Sequence, residues 1–255
     1  MLANLQRMLL RPKRVLDPLT LFAIGADGAW YDPSDVSSLW QDTAATIPVA
    51  ADGDPVRRMN DKSGNGHNLT TASLAASPLY RTNGALRWLE FDGVDDTMSS
   101  ALTMTLSLPS YIGACFSKAA QNSTSFFSLI KDASNYQRLI NVATNNRMSG
   151  ALRSTAHLTA VTPTSANNNF PAATIKVADT LSISGLTDLA VNGVPSGTSP
   201  VTNLWVAGDT VAGCGVQLGI GNGMNFFGGI ILLADPGAAR PRVNWYLGAK
   251  GALAL

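Results

Sequence analysis

The sequence predicts an all-β fold, built as an antiparallel two-sheet sandwich, from three features of its composition. Hydrophobic residues make up 45% of the 255 residues, enough for one large core, whereas charged residues reach only 14%, against about 25% in an average domain. Sixteen of the 17 acidic residues are Asp, Glu90 is the one Glu, and Lys occurs six times. Good helix formers are therefore scarce, while Gly, Pro, Asn and Asp separate short runs of Val, Ile, Thr and aromatic residues.

The charge of the chain is nearly balanced and unevenly placed. The formal net charge is +1, which gives no general attraction to nucleic acid or to an anionic membrane. Arg7, Arg11, Lys13 and Arg14 precede every acidic residue, so the rest of the chain carries 14 basic and 17 acidic side chains, a balance of −3. The positive excess therefore lies at the N-terminal end.

Cysteine usage and hydropathy limit the classes of protein to consider. Cys115 and Cys214 form no CxxC or Cys/His spacing, so we expect two buried thiols rather than a disulfide framework or a zinc site. No run of about 18 apolar residues occurs, so no membrane span is predicted. The N-terminal charges interrupt the apolar positions, unlike those of a secretory signal. We therefore expect a soluble protein made in the cytoplasm.

Residues 1–24 are predicted to be an N-terminal anchoring helix followed by a linker. Apolar residues recur at spacings of three and four from Met1 to Leu9, arginines fall on another side, and Pro12 ends the pattern. A helix this short is marginal alone, so it needs a surface, which is either the sandwich behind it or another protein. The residues expected to dock on a partner are Leu2, Leu5, Arg7, Leu9, Arg11 and Arg14.

Residues 25–255 are predicted to form one domain of strands and turns. Trp30 is expected to enter the core on an early strand, at the start of a turn-rich segment that runs to residue 69. Residues 86–93 predict a strand that ends in a tight Asp-Gly turn, with residues 98–102 as its pairing partner. Further strands are predicted at residues 106–116, 125–131, 138–142, 147–152, 174–177, 181–183, 188–191, 204–206, 216–220 and 226–233.

The C-terminal segment, residues 235–252, breaks this β pattern. Pro236 is suited to open a helix, and Gly251 to end it. Between them lies a short helical stripe of apolar residues, formed by Val243, Trp245, Tyr246, Leu247 and Ala249.

Five segments, in this order and spacing, carry a resemblance to a known group of domains. They are residues 30–35 (WYDPSD), 61–67 (DKSGNGH), 91–96 (FDGVDD), 190–194 (AVNGV), and 218–221 (LGIG) leading into 227–231 (FGGII). Together they resemble the laminin-G-like, concanavalin A-like jelly-roll domains, and most closely the version found in bacteriophage structural proteins. The resemblance covers about residues 25–255 and implies a jelly-roll sandwich with a short C-terminal helix. Because this fold carries enzymes, lectins and inert spacers, the site must decide the function.

Residues suited to catalysis are few. A glycoside hydrolase needs two carboxylates across the sugar bond, and the pair that the sequence offers is Glu90 with Asp92, of which Asp92 is better explained as a turn former. His67 and His157 lie in no Ser/His/Asp or Cys/His setting. We expect His67 to cap backbone groups of its turn. The sequence thus favours a protein that is not an enzyme.

Two kinds of binding site remain. Calcium is an alternative, with oxygens from Asp92, Asp95, Asp96 and Asn192, but these residues coincide with turns and no cofactor or metal is predicted. Glycan binding in this fold uses exposed aromatic faces with amide, Arg or Asp side chains. The candidate glycan-binding residues are Tyr136, Arg138 and Trp205.

The resemblance and the basic N-terminal segment together predict a non-enzymatic bacteriophage virion protein of the tail, the fibre or the head decoration. Its expected location is the virion, after synthesis in the host cytoplasm. Expected partners are other virion proteins, a host cell-surface polysaccharide and further copies of the chain, with no nucleic acid and no membrane span. The alternatives are a stand-alone carbohydrate-binding lectin and, third, a glycoside hydrolase, which the near absence of Glu disfavours.

Overall fold

The computed structural model describes residues 16–23, 25–118, 125–142, 147–154, 159–161, 175–183, 186–200, 209–219 and 223–255. These residues form two antiparallel sheets packed face to face, with a short helix near each end, which confirms the predicted all-β sandwich. The described α-helices are α1 (Leu19–Phe22) and α2 (Arg240–Lys250), and two 3₁₀ turns occupy Val36–Ser38 and Gly237–Ala239. The helix predicted over residues 1–14, its docking residues and the strand predicted at 204–206 lie outside the described residues.

The first sheet has eight strands in the described part of the chain. They are β1 (Gly28–Tyr31), β5 (Leu79–Thr82), β6 (Arg87–Asp92), β9 (Ser110–Lys118), β14 (Lys176–Ile183), β15 (Leu186–Val191), β16 (Val194–Pro200) and β18 (Gly223–Leu232). The main order across the sheet is β16-β15-β14-β9-β18-β6-β5, and β1 also pairs with β18.

The second sheet has ten described strands, in the order β13-β12-β11-β10-β17-β7-β4-β3-β2, with β8 also paired to β17. The strands are β2 (Leu39–Trp40), β3 (Arg58–Met59), β4 (Leu69–Thr70), β7 (Met98–Ser99), β8 (Met104–Ser107), β10 (Ser125–Asp132), β11 (Asn135–Val142), β12 (Arg147–Ser154), β13 (Thr159–Val161) and β17 (Thr210–Leu218).

The main core lies between the two sheets and is rich in aromatic rings. Phe127 of the ten-stranded sheet faces Phe226 of the eight-stranded sheet with their ring centroids 5.7 Å apart, and both are fully buried. Tyr31 meets Phe127 edge to face, at 6.3 Å between centroids. Each such side chain contributes about 1.5–3 kcal/mol through burial of its apolar surface. This core fixes the distance between the sheets and makes the body rigid.

A second apolar cluster covers the outer face of the eight-stranded sheet, where α2 and the segment with α1 lie. Every residue of β9 is buried because the main core covers one of its faces and this outer cluster the other. Trp30 is buried as predicted, but in the outer cluster, where it meets Tyr246 of α2 edge to face at 6.0 Å. Leu16 and Phe22 are also buried there, so the chain that the sequence predicts as linker already packs on the sandwich.

The predicted turn at residues 61–67 is organised by the carboxylate of Asp61. Its two oxygens accept hydrogen bonds from the amides of Trp30 (2.9 Å), Ser63 (2.8 Å) and His67 (3.0 Å) and from the Ser63 hydroxyl (2.8 Å). Asn65 donates to the carbonyl of Gly28 (2.9 Å), so the turn also holds the start of β1. At Gly28, whose φ is +149°, a Cβ would lie 2.3 Å from the Ile231 carbonyl oxygen, which explains the glycine.

The predicted pairing of residues 86–93 with 98–102 is wrong. β6 pairs with β5 and β18, whereas β7 pairs with β17 and β4 in the other sheet. The reason is the loop after β6: Asp92 accepts a hydrogen bond from the Val94 amide, and Asp96 accepts one from the Asp92 amide, both at 2.8 Å. These bonds form a local turn after which the chain crosses to the second sheet instead of returning as a hairpin.

Three further expectations are corrected. The single strand predicted over residues 106–116 is two strands in different sheets, β8 and β9, because Pro109 between them has no amide hydrogen to continue a ladder. The two strands predicted at 174–177 and 181–183 are one strand, β14. The sequence does not predict β5, β13 and β16 or the two-residue strands β2 to β4, because they are short or lie among turn residues.

Both edges of the eight-stranded sheet are protected against pairing with another strand. The edge strand β16 contains Pro195 and Pro200, which have no amide hydrogen. At the other edge, the loop of residues 52–56 lies along β5: the amide of Gly53 donates to the Tyr80 carbonyl and the amide of Tyr80 donates to the Asp54 carbonyl, both at 2.8 Å. The outer ladder of β5 is therefore already in use.

We predict that Asp61→Ala lowers the free energy of unfolding by about 2–4 kcal/mol, because four donors that include three backbone amides lose their acceptor. Urea unfolding followed by fluorescence measures the change. Asp95→Ala, at an exposed carboxylate, is the matched control and should change stability little. Equal stabilities of the two variants would contradict the role given to Asp61.

Candidate ligand-binding site

The position of α2 is set at its first residue by Arg240. Its Nε and Nη2 donate to the Asp179 carboxylate at 2.9 and 3.1 Å, and its Nη1 and Nη2 donate to the Asp188 carboxylate at 2.6 and 2.7 Å. Asp179 lies on β14 and is 1% exposed. Burial opposes the charge of the guanidinium, but the hydrogen bonds to Asp188 and Asp179 outweigh it and raise the pKa of Arg240 above its usual value. We call this arrangement the Arg240 fork.

The other end of α2 is held by Asp32, the aspartate of the WYDPSD segment. One of its oxygens accepts hydrogen bonds from the Tyr246 hydroxyl (3.0 Å) and the Lys250 ammonium (2.7 Å). The other accepts from the amide and the hydroxyl of Ser34 at 3.0 and 2.6 Å. Burial, and then the charge of Asp32, raise the pKa of Tyr246, so this phenol is a hydrogen-bond donor throughout the physiological range.

A pocket of about 610 Å³ lies between α2 and the β15–β16 hairpin. We call it the helix pocket. The hairpin turns at Asn192 and Gly193, both with positive φ (52° and 74°), as a two-residue turn between strands requires. Arg242, Asn192 and Asn244 are polar residues of the lining, beside the Arg240 fork. The apolar walls are formed by Leu189, Ala190, Pro195, Pro241, Trp245 and Leu255.

Trp245 lies at the border of two concave surfaces. It lines the helix pocket and also a second pocket of about 370 Å³, to which Leu86, Arg87 and Lys250 contribute. Its side chain is half-buried, whereas Val243 and Leu247 on the opposite side of α2 are fully buried in the outer cluster. The volume and the mainly apolar lining of the helix pocket are those of a small-ligand site.

The structure brings together two of the three predicted glycan-binding residues. Gln137 points into the sandwich, where its amide donates to the Ser110 carbonyl (3.2 Å), so its neighbours Tyr136 and Arg138 face outward on β11. The Arg138 guanidinium carbon lies 4.0 Å from the centre of the Tyr136 ring, and Nη2 donates to the Tyr136 hydroxyl at 3.2 Å. Tyr136 is only 4% exposed, so it is the half-buried Arg138 that offers surface. Trp205 lies outside the described residues.

In sequence, no protein-family model and no curated protein matches the chain. In structure, it resembles the binding domain of Paraclostridial Mosquitocidal Protein 1, with a TM-score of 0.58 and 7% identity over 75% of this chain and 50% of that one. The binding domain of botulinum neurotoxin serotype D gives 0.55 and 10% over 76% and 49%. The protein has a concanavalin A-like fold. The Trypanosoma rangeli sialidase gives 0.54 and 10% over 89% and 33%, so the chain spans half or less of each of these chains.

Within this concanavalin A-like sandwich, the acidic residues considered for calcium form one cluster and leave Asn192 out. Ligand oxygens of Asp92, Asp95 and Asp96 lie within 4.8 Å of one another. Asn192 belongs to the hairpin of β15, four strands from β6 in the same sheet, and accepts a hydrogen bond from the Val177 amide. Burial, and then the neighbouring carboxylates, raise the pKa of Asp96 to about 6. The three carboxylates are the group that could hold a cation.

The residues considered for catalysis are engaged elsewhere in the concanavalin A-like sandwich. Glu90 forms an ion pair with Arg81 across the β5–β6 ladder. The prediction that His67 caps backbone groups of its turn is wrong for its ring. The ring Nε2 lies 2.8 Å from an Asp27 oxygen, and Nδ1 lies 3.3 Å from the Thr103 hydroxyl. The capping falls to Asp61 because its carboxylate has two acceptors inside the turn. His157 lies outside the described residues.

Both cysteines of the concanavalin A-like sandwich are free and buried, as predicted. Burial raises the pKa of the Cys115 thiol to about 12, so it stays protonated. No helix in the described residues is long and apolar enough to cross a membrane.

We predict that Asp96→Asn becomes more stable relative to the wild type as the pH rises from 4 to 7, by about 1–3 kcal/mol. The folded carboxyl keeps its proton up to a pKa of about 6, whereas the unfolded one loses it near 3.8, so ionisation weakens the wild-type fold across this interval. Urea unfolding at each pH measures the difference. Asp235→Asn is the control, and a pH-independent difference for Asp96→Asn would refute the assignment.

Proposed function

We propose that the chain is a non-enzymatic glycan-binding sandwich, displayed on a bacteriophage particle for adhesion to a host surface polysaccharide. The observation that carries this proposal is the helix pocket, which combines the indole of Trp245 with amide and guanidinium groups on a rigid two-sheet body. A sugar ring has an apolar C–H face and a polar edge, so an aromatic wall beside hydrogen-bonding groups suits it.

The state of the carboxylates supports binding without cleavage. A glycoside hydrolase needs one carboxyl group as acid and another as base or nucleophile. At the helix pocket, Asp179 and Asp188 each accept two hydrogen bonds from Arg240, and neither is left to act on a bound sugar. Glu90 is held by Arg81. These carboxylates maintain the shape of the body.

The proposed location of the protein in a virion is inferred from the sequence alone. The five segments resemble the phage version of the fold, and residues 1–14 carry four positive charges on a short apolar helix pattern. Leu16, the first described residue, is buried in the outer cluster, and we propose that the residues before it act as a tether. In this proposal the tether binds a neighbouring capsid, tail or fibre protein, and several copies assemble on the particle.

A second candidate surface for glycans is the outward pair Tyr136 and Arg138. The Arg138 guanidinium stacks on the Tyr136 ring, and its Nε is a buried donor without a partner in the described structure. Such a donor favours an acceptor bound nearby.

We predict that Trp245→Ala lowers affinity for any glycan that the full chain binds on an array by at least about tenfold, because the stacking surface of the helix pocket is lost. Val94→Ala, an exposed apolar residue elsewhere, is the control and should bind normally. Analysis of the same incubations for released oligosaccharide tests the absence of cleavage.

Each outcome of this experiment bears on the proposal. Binding that survives Trp245→Ala but is lost with Arg138→Ala would move the site to the ten-stranded sheet. Binding to no glycan, or the release of product, would overturn the proposed function.

We predict that deletion of residues 1–14 leaves a folded domain that no longer enters phage particles. The cut keeps Leu16 and Phe22, which are part of the outer cluster, so stability should be unchanged. Thermal unfolding and the protein content of purified particles are the two measurements. A folded truncation that enters particles at the normal level would refute the anchoring role of residues 1–14.

A further inference from the structure

We propose that the helix pocket selects a sugar that carries a single carboxylate, such as a uronic or a nonulosonic acid. This inference rests on the proposed glycan-binding function and specifies its ligand class. It follows from which polar atoms of the pocket are already engaged within the protein and which remain for a ligand.

The acceptor atoms of the pocket are engaged. Asp188 lines the pocket, but both of its oxygens accept hydrogen bonds from Arg240, at 2.6 and 2.7 Å. The Asn192 side-chain oxygen accepts from the Val177 amide at 3.0 Å, and the Asn244 side-chain oxygen accepts from the Tyr111 hydroxyl at 3.3 Å.

The donors remain. Once their oxygens are fixed in this way, Asn192 and Asn244 each keep an NH₂ group that has no partner in the described part of the chain. Arg242 is exposed at the start of α2 and forms no ion pair with any described residue. It lies three residues before Trp245, so the two side chains share one side of the helix. The pocket therefore presents donors beside an indole.

Such a donor set prefers an anionic acceptor, because hydrogen bonds to an ionised group are about twice as strong as neutral ones. The charge of the site limits that anion to one unit. The described charges at the site are those of Asp179, Asp188, Arg240 and Arg242 and sum to zero, and Arg242 is the cation among them that is not engaged in the fork. The negative charge of Asp188 would repel a further negative charge on a polyanion, whereas a single carboxylate can lie against Arg242.

The apolar walls exclude a bare inorganic anion as the preferred ligand. Trp245, Pro195 and Leu255 gain nothing from a small hydrated ion, but they can cover the C–H face of a sugar ring. A sugar with one carboxylate satisfies both parts of the lining at once.

The test is an array on which oligosaccharides that contain uronic or nonulosonic acids stand beside their methyl esters and beside neutral glycans. We expect the full chain to bind at least one acid and to bind its methyl ester about tenfold more weakly. Arg242→Gln should remove this preference, so that the acid and its methyl ester bind equally. Lys131→Gln, which removes one exposed positive charge from the ten-stranded sheet, is the matched control.

The outcomes separate this inference from the proposed function. Binding of neutral glycans with no preference for an acid over its ester would overturn the inference and leave the proposed function standing. An acid preference that survives Arg242→Gln would also overturn it, because the charge would then be recognised elsewhere. Binding to no glycan would remove the proposed function and the inference together.

Discussion

The placement of Arg240 between two aspartates is the constraint on which the outer half of the molecule depends. The eight-stranded sheet has an apolar outer face that has to be covered, and α2 is the main element that covers it. Apolar contact alone would leave the helix free to slide. The fork fixes its first residue to β14 and β15, and Asp32 fixes its last turn, so the helix has one position and the pocket beside it has one shape. Removal of the guanidinium would leave one fully buried carboxylate, that of Asp179, and one partly buried carboxylate, that of Asp188, without a counterion.

Those parts of the fold that depend on local chemistry could be predicted from the sequence. The turn at residues 61–67 follows from the hydrogen-bonding capacity of Asp and Asn beside glycines, and α2 follows from an apolar stripe that ends before Gly251. Pro236, predicted to open this helix, instead precedes a 3₁₀ turn (Gly237–Ala239), and α2 begins at Arg240. Pairing partners could not be predicted in the same way. β6 joins β18, more than 130 residues later, and short-range patterns contain no information about such a partner. The two-residue strands β2, β3 and β4 exist only because the larger sheet gives them neighbours.

The candidate binding residues likewise fall into those that the local sequence predicts and those that it does not. Tyr136 and Arg138 share a face because strand residues alternate, which the sequence shows directly. The helix pocket does not follow from the sequence pattern because its two sides lie about 50 residues apart, on a hairpin and on a helix, and the pattern places Trp245 in the apolar stripe. A signal was present: Val243 and Leu247 are four residues apart, whereas Arg242, Trp245 and Ala249 fall on another side of the helix. A tryptophan beside an arginine on that side of the helix indicates a surface that binds a ligand rather than one that packs in the core.

The blocked edges of the eight-stranded sheet determine how copies of the protein can meet. Because β16 has prolines and the outer ladder of β5 is occupied by the loop of residues 52–56, both described edges of this sheet are protected against pairing with a neighbouring copy. Contacts between copies are then expected at side chains on faces and loops, which do not template a fibril. Crowding many copies on one surface therefore carries little risk of intermolecular sheet growth from this half of the sandwich.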